Sequence, residues 1–260
     1  MGVLNQKNTV QEQYRTSDNL SRRISIHEKY STNKQGFGNW IFSHYDFGAD
    51  SRILELGCGT GNMWKGRLPL QGEDLTLVLT DFSPNMVSDA KALLGEQDNV
   101  SYREVNIEDI PYADASFDRV IANMMLYHVP DLDRGLSEVG RVLSQDGCFY
   151  CATYGENGIM PFIAGLLKEY GVTDTTNKNF TLQNGGGILG RYFSDVQRFL
   201  YEDSLAVTDV EDLLDYVYSL TNMSFIAQVE RNVLKEVLEK EMSDGVLIVP
   251  KEYGMFVCRK

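Results

Sequence analysis

The chain has 260 residues, room for one large α/β domain or one domain with a sizeable insertion rather than two full domains. Hydrophobic residues at 43% and charged residues at 23% are ordinary for a soluble globular protein. A net charge of −13 and a pI near 4.7 repel phosphate backbones and anionic lipid, so neither nucleic acid nor a membrane surface is an expected partner.

The acidity serves solubility, or it mildly favours a neutral or cationic substrate. Of the four cysteines, Cys148 and Cys151 stand in an apolar, strand-like run, where they alternate to opposite faces and read as small core residues. No Cys/His cluster has zinc spacing, and no metal is expected. Free thiols, an opening segment without an apolar leader core and the lack of any apolar run near ~18 residues point to the cytoplasm. The expected assembly is a monomer or homodimer.

In chain order, residues 1–48 are polar with helical spacing. Ser17 or Asp18 can cap a helix running to about Tyr30, with Arg23 and His27 four apart on one face. A second short helix is expected over Gly36–Tyr45. From residue 49 to 154 strands and helices alternate. The strands are Arg52–Leu56, Leu75–Thr80, Val100–Val105, Phe117–Ala122 and Gly147–Thr153; the helices or helical turns are Asn62–Leu68, Pro84–Leu94 and Asp133–Val142. This order implies a doubly wound, mostly parallel sheet with helices on both faces. Residues 155–190 read as a cap inserted after the fifth strand. In residues 191–260, strands at Val196–Tyr201 and Tyr253–Cys258 complete a seven-stranded sheet, and helices are expected over Val210–Leu220 and Ala227–Met242.

Three segments carry chemistry. The first is ILELGCGTGNMW, residues 53–64, a strand followed by Gly57, Gly59 and Gly61. Glycines there permit positive φ and close backbone approach to a ligand. The spacing is GxGxG, not the dinucleotide GxGxxG, and Glu55 precedes the first glycine. A carboxylate there does not welcome a pyrophosphate, but it can pair with a ligand ammonium or order water around one. The second segment is LTLVLTDFSPNMV, residues 75–87. Asp81 ends the strand where a carboxylate can accept both ribose hydroxyls of a nucleoside, or is merely part of the turn; Ser83 and Pro84 then start a helix. The third runs over residues 105–129. Asn106 stands where an adenine edge can be read, Asn123 follows the end of the fourth strand, and Tyr127 and His128 lie at the edge of the reaction centre.

These segments resemble the class I S-adenosylmethionine-dependent methyltransferases, in particular the ubiquinone/menaquinone-biosynthesis-like subgroup, over about residues 50–154. The resemblance implies a Rossmann-like fold, S-adenosyl-L-methionine as cofactor with S-adenosyl-L-homocysteine as product, and methyl transfer to a small molecule. It implies that Glu55, Gly57, Cys58, Gly59 and Gly61 surround the methionine part, with Asn123 touching it. Asp81 would hold the ribose hydroxyls, Phe82 and Met86 would flank the nucleoside, and Asn106 and Ile107 would read the adenine. Many relatives have Asp in place of Asn106, and two adjacent histidines in place of Tyr127 and His128. Residues 1–48 would form a helical lid bringing Tyr14, Arg23 and His27 to the cofactor; alternatively that helix packs on the sheet edge.

His128 can serve as general base or simply pack the turn after the fourth strand. Tyr154, just past the fifth strand, is a substrate-pocket candidate, as are Arg191 and Tyr192. The apolar stripe Met160, Phe162, Ile163, Leu166 and Leu167 packs on the core or meets the substrate. Two other readings remain at this stage, a nicotinamide-dependent dehydrogenase and a non-catalytic S-adenosylmethionine-binding sensor.

Overall fold

A computed structural model describes residues 25–68, 75–219 and 226–260. Seven strands form one sheet: β1 (Arg52–Leu56), β2 (Thr76–Asp81), β3 (Val100–Glu104), β4 (Phe117–Ile121), β5 (Leu143–Tyr154), β6 (Asp195–Val207) and β7 (Leu247–Arg259). Their order is β3-β2-β1-β4-β5-β7-β6. Only β7 runs against its neighbours β5 and β6. The inner strands read as near-continuous apolar runs because both faces are covered.

The helices are α1 (Phe37–Phe42), α2 (Pro84–Leu94), α3 (Leu132–Val142), α4 (Ile159–Leu166), α5 (Gly185–Leu189), α6 (Val210–Ser219) and α7 (Arg231–Lys240). Residues 25–30 are also helical. On one face, Leu54, Leu56, Phe149 and Cys151 pack beneath Leu136 and Val139 of α3. On the other, Ile53, Cys148 and Tyr150 meet Ile41 of α1, Trp64 and Ala90 of α2. Cys148 and Cys151 thus point to opposite faces, as strand alternation requires.

Several elements differ in extent from the sequence reading. The helix expected over Asn62–Leu68 is a single 3₁₀ turn, Asn62–Trp64. Gly66, at φ 73°, takes the chain out of helical geometry just beyond it. Ser83 occupies the N-cap of α2 but makes no side-chain capping bond. Asp131 does cap α3, accepting from the Arg134 N–H at 3.0 Å. β6 and β7 each run 13 residues, well past the expected Val196–Tyr201 and Tyr253–Cys258. Beyond the Tyr154–Tyr253 pair, β5 has ended and the β6–β7 ribbon continues alone. Pro250 sits in this part, where β7 has one strand neighbour and a missing N–H is tolerated.

The projecting ribbon carries a core of its own. Leu205, Val207, Leu247 and Val249 pack with α4, α6, α7 and with Ile26 and Tyr30 of the helical residues 25–30. The 155–190 segment divides between two cores. Ile163 and Leu167 of its apolar stripe join the ribbon core, whereas Phe180, Leu182 and Leu189 pack beneath the sheet with α3. Among the described residues, no helix is long and apolar enough to cross a membrane.

Candidate active site

The glycine turn after β1 is left-handed at each glycine: φ is 76° at Gly57, 55° at Gly59 and 78° at Gly61. A Cβ on Gly57 would lie 2.9 Å from the Met125 side chain, and one on Gly61 would lie 2.9 Å from Leu94. These two positions let the turn press against the loop after β4 and against α2. A Cβ on Gly59 would meet nothing within 4 Å, so the middle of the turn faces open space.

The turn hangs on the end of β2. Cys58 N–H donates to Thr80 O at 2.8 Å. The Asp81 carboxylate accepts from Gly59 N–H at 3.0 Å on one oxygen and from Ser83 N–H at 2.9 Å on the other. The carboxylate still keeps acceptor capacity for a further donor. Burial pushes the Asp81 carboxyl up, against the pull of the Ser83, Gly59 and Phe82 amides.

Glu55 lies beneath the turn, 2% exposed. Its Oε2 accepts from Trp64 Nε1 at 2.5 Å. Burial raises its carboxyl to about 7; the Trp64 bond opposes the shift and the nearby Asp81 adds to it. Among the described residues, the groups acting on the two carboxylates include no cation.

Beside them, Asn123 at the end of β4 donates to the Tyr45 hydroxyl at 2.6 Å and accepts from Ala152 N–H at 3.2 Å. Its amide is thus a clamp between β4, β5 and the segment after α1. Met124 follows with φ 54°, a left-handed residue that is not glycine. Such backbone costs ~1–3 kcal/mol and persists only where its surroundings enforce it. Here its N–H is held by Ala152 O at 2.8 Å.

The turn Leu126–His128 then places three rings in a row. Tyr127 lies 4.5 Å from His128 and 4.6 Å from Tyr154, centroid to centroid. Asn177 ties them, donating to Tyr127 O and accepting from the Tyr154 hydroxyl, both at 2.7 Å. Burial lowers the His128 pKa to about 4, so its imidazole is neutral at physiological pH.

The other expected site residues spread more widely. Met86 is buried and Phe82 half-buried beside Asp81. The Asn106 amide oxygen turns back to accept from Glu108 N–H at 3.0 Å, and Ile107 is buried against the position of Gly135 in α3. Arg191 and Tyr192 do not join Tyr154: both direct their polar ends to Asp133 of α3, at 2.7 and 2.8 Å. His27 is not brought to the glycine turn. Its ring lies edge-on to Tyr216 of α6 at 5.6 Å and to Tyr253 of β7 at 6.3 Å. In the sheet β7 stands three strands from β1, a separation of ~14 Å. Tyr14 and Arg23 lie outside the described residues.

Sequence reasoning overlooked Trp64, Tyr45, Tyr216, Tyr253 and a buried latch. Asp203 of β6 forms an ion pair with Lys251 of β7, their side chains 0% and 3% exposed. Asp203 also accepts from Ser31 Oγ at 2.5 Å, Thr32 Oγ1 at 3.1 Å and Asn33 N–H at 2.9 Å. Thr32 N–H pairs with Ser204 O at 2.9 Å. Residues 31–33 are thereby strapped to the edge strand, which holds helical residues 25–30 over the ribbon. The alternating tyrosine in KEYGMFVC was the one visible signal for Tyr253.

Residues 54–151 match the family described as "Methyltransferase domain". A ubiquinone/menaquinone biosynthesis C-methyltransferase of Rickettsia prowazekii is 28% identical over 210 residues, covering 78% of this chain and 76% of the relative. The chain thus carries a methyltransferase domain over residues 54–151 and is similar to the class I S-adenosylmethionine-dependent methyltransferases. Its fold is shared with a phosphoethanolamine N-methyltransferase of Haemonchus contortus solved with S-adenosyl-L-methionine: TM-score 0.61, 17% identity, 100% of this chain and 60% of that one. It is shared equally with the [4+2]-cyclase SpnF: TM-score 0.60, 14% identity, 100% of this chain and 97% of that one. One fold therefore carries more than one chemistry, and the acceptor has to be argued from the site.

Proposed function

We propose that this methyltransferase passes the methyl group of S-adenosylmethionine to a small, non-anionic acceptor bound at the ends of β4 and β5. The observation that carries the reading is the pair of carboxylates, Glu55 and Asp81, without a counter-cation among the described residues, beside a glycine turn open at Gly59. Two buried acids disfavour the pyrophosphate of a nicotinamide cofactor, whereas a ligand with a cationic amino acid end and a ribose suits both. The residues present fit the group. Asp81 offers the ribose hydroxyls its remaining lone pairs, with Phe82 and Met86 beside the nucleoside and Asn106 and Ile107 at the adenine. Glu55 and the backbone of Gly57, Cys58, Gly59 and Gly61 would take the methionine end, with Asn123 clamping the adjoining wall.

When bound, S-adenosylmethionine supplies a methyl on a sulfonium, open to in-line displacement. The chain's own work is alignment. Tyr127, His128 and Tyr154 form a fixed aromatic wall that orients the acceptor and keeps water out. His128, held neutral by burial, suits a hydrogen bond to the acceptor better than strong base catalysis. The buried free thiols, Cys58, Cys148, Cys151 and Cys258, suit a reducing compartment such as the cytoplasm.

The test is transfer of labelled methyl from S-adenosylmethionine across a panel of small acceptors, with protein and RNA arms. Product confined to small molecules supports the reading; product only on protein or RNA would overturn it. Glu55 adds a pH signature. Its carboxyl, near 7 in the free protein, must ionise to attract a cationic ligand. Cofactor affinity should therefore rise with pH between about 6 and 7.5, below the range where the ligand's own α-amino group loses its proton. Calorimetry on Glu55→Gln should show weaker binding and a flat profile across that window; an unaltered slope would remove Glu55 from this role.

A further inference from the structure

His27 is the imidazole the cofactor site does not use. Its Nδ1 is buried and has no hydrogen-bond partner among the described residues. Leaving a buried polar atom unpaired is costly, and native structures rarely do so without a reason. The ring sits at the far end of a row of aromatic side chains. Tyr253, its edge-on neighbour, pairs across the sheet with Tyr154; Tyr154 lies tilted against Tyr127, and Tyr127 against His128. The row runs from the end of β4, where the methyl group is expected, to the lid. His27, Tyr253, Tyr154 and His128 are each set within the protein yet keep part of their surface open.

Among the described residues, every titratable group facing His27 is neutral or paired. Burial first, then the Lys251 ammonium, lowers the His27 pKa to about 4, with Asp203 opposing. Burial likewise keeps the Tyr253 phenol protonated. Lys251 and Asp203 cancel each other's charge, and Lys251 also donates to Ser31 Oγ at 2.6 Å. Tyr216 closes the remaining side. Among the described residues an anion placed here would find no free positive charge, whereas an uncharged donor would satisfy the orphaned nitrogen.

We propose that His27 contacts the methyl acceptor rather than the cofactor, holding an uncharged hydroxyl-type head group at the lid end of the aromatic row. This rests on the methyl-transfer reading above. It turns the latch at Asp203 into a specificity device, since that latch sets the position of His27.

The experiment uses the full chain labelled with ¹⁵N-histidine and saturated with S-adenosylhomocysteine. The chain has 3 histidines, so each imidazole can be followed separately. Phenol and benzoate serve as probes with the same ring and different heads. The His27 signal, assigned by its loss in His27→Gln or by elimination with His44→Gln and His128→Gln, should shift with phenol and not with benzoate. His27→Phe should keep its affinity for S-adenosylhomocysteine and bind phenol about fivefold more weakly, the size of one lost hydrogen bond. Should His27→Phe fail to fold, the shift in the unmodified chain decides alone. A His27 signal unmoved by phenol, equal binding of benzoate, or lost S-adenosylhomocysteine affinity in folded His27→Phe would each overturn the proposal. If the unmodified chain does not bind S-adenosylhomocysteine, it is the methyl-transfer reading that fails.

Discussion

Asp203→Ala is expected to destabilise the protein by about 3–5 kcal/mol, the usual consequence of removing one partner from a fully buried ion pair. The Asp203 and Lys251 side chains are 0% and 3% exposed, so neither charge can fall back on water. The substitution would leave the Lys251 ammonium hydrogen-bonded, among the described residues, to the Ser31 hydroxyl alone, and would take an acceptor from the hydroxyls of Ser31 and Thr32 and from the N–H of Asn33. Urea unfolding at neutral pH measures the loss. Replacing both partners, Asp203→Leu with Lys251→Met, should recover most of it, because two apolar groups of similar size carry no desolvation debt. A loss below about 1 kcal/mol in the single variant would mean that the pair is solvated in solution. The pH dependence has a definite sign. Burial pushes the Asp203 carboxyl up, but Lys251, Ser31 and Asn33 outweigh it and hold the group below its ordinary 3.8. Its stabilisation is therefore present above about pH 4 and is lost as acid carries the pH down through the folded-state value.

Asp81→Ala is expected to weaken S-adenosylhomocysteine binding by about 3 kcal/mol, roughly 150-fold, from two charge-assisted hydrogen bonds of ~1.5 kcal/mol each. The glycine turn adds to the effect, since Gly59 N–H loses the acceptor that holds it toward the ligand. Folding stability should change far less, because the carboxyl is itself raised by burial and its removal relieves that strain. Asp81→Asn keeps an oxygen for one backbone N–H and should fall between the two. Calorimetry gives the affinities and a thermal scan gives the stability. Affinity equal to that of the unmodified chain would contradict the placement of the ribose at β2.

The contrast between these residues explains what could be read in advance. Asp81 stands at the end of a buried apolar run and before Ser83 and Pro84, so strand, turn and helix start all lie within a dozen residues. β1 and α2 were legible to the residue for the same reason: Arg52–Leu56 is a compact apolar run and Pro84–Leu94 begins with a helix-starting proline. Asp203 and Lys251 carry no such signal. They stand 48 apart in the chain, and Ser31 stands 172 from Asp203. In sequence each reads as a polar residue of a strand edge. The outer halves of β6 and β7 were unreadable for a related reason. Their charged residues and Pro250 look like strand ends, until the ribbon is seen to leave β5 and meet a separate core.

The candidate site divides along the same line. Glu55, the glycines and Asp81 lie close in sequence or at fixed spacing, and the chain alone placed them around one crevice. The Trp64 bond that buries Glu55, the clamp that Asn123 makes on Tyr45, and the left-handed backbone of Met124 appear only once strands are paired. His27 moved furthest, from an expected cofactor neighbour to the wall formed by Tyr216 and Tyr253.

What the amino-acid order settled by itself was the βα alternation, the glycine turn and the two acids that face it, because each follows from periodicity or backbone freedom within one short segment. Which aromatic side chains stand in a row from His128 to His27, and which charges cancel beside them, was decided by the tertiary structure. Those contacts join residues up to 220 positions apart, and over such distances only the packed chain brings two groups within bonding reach.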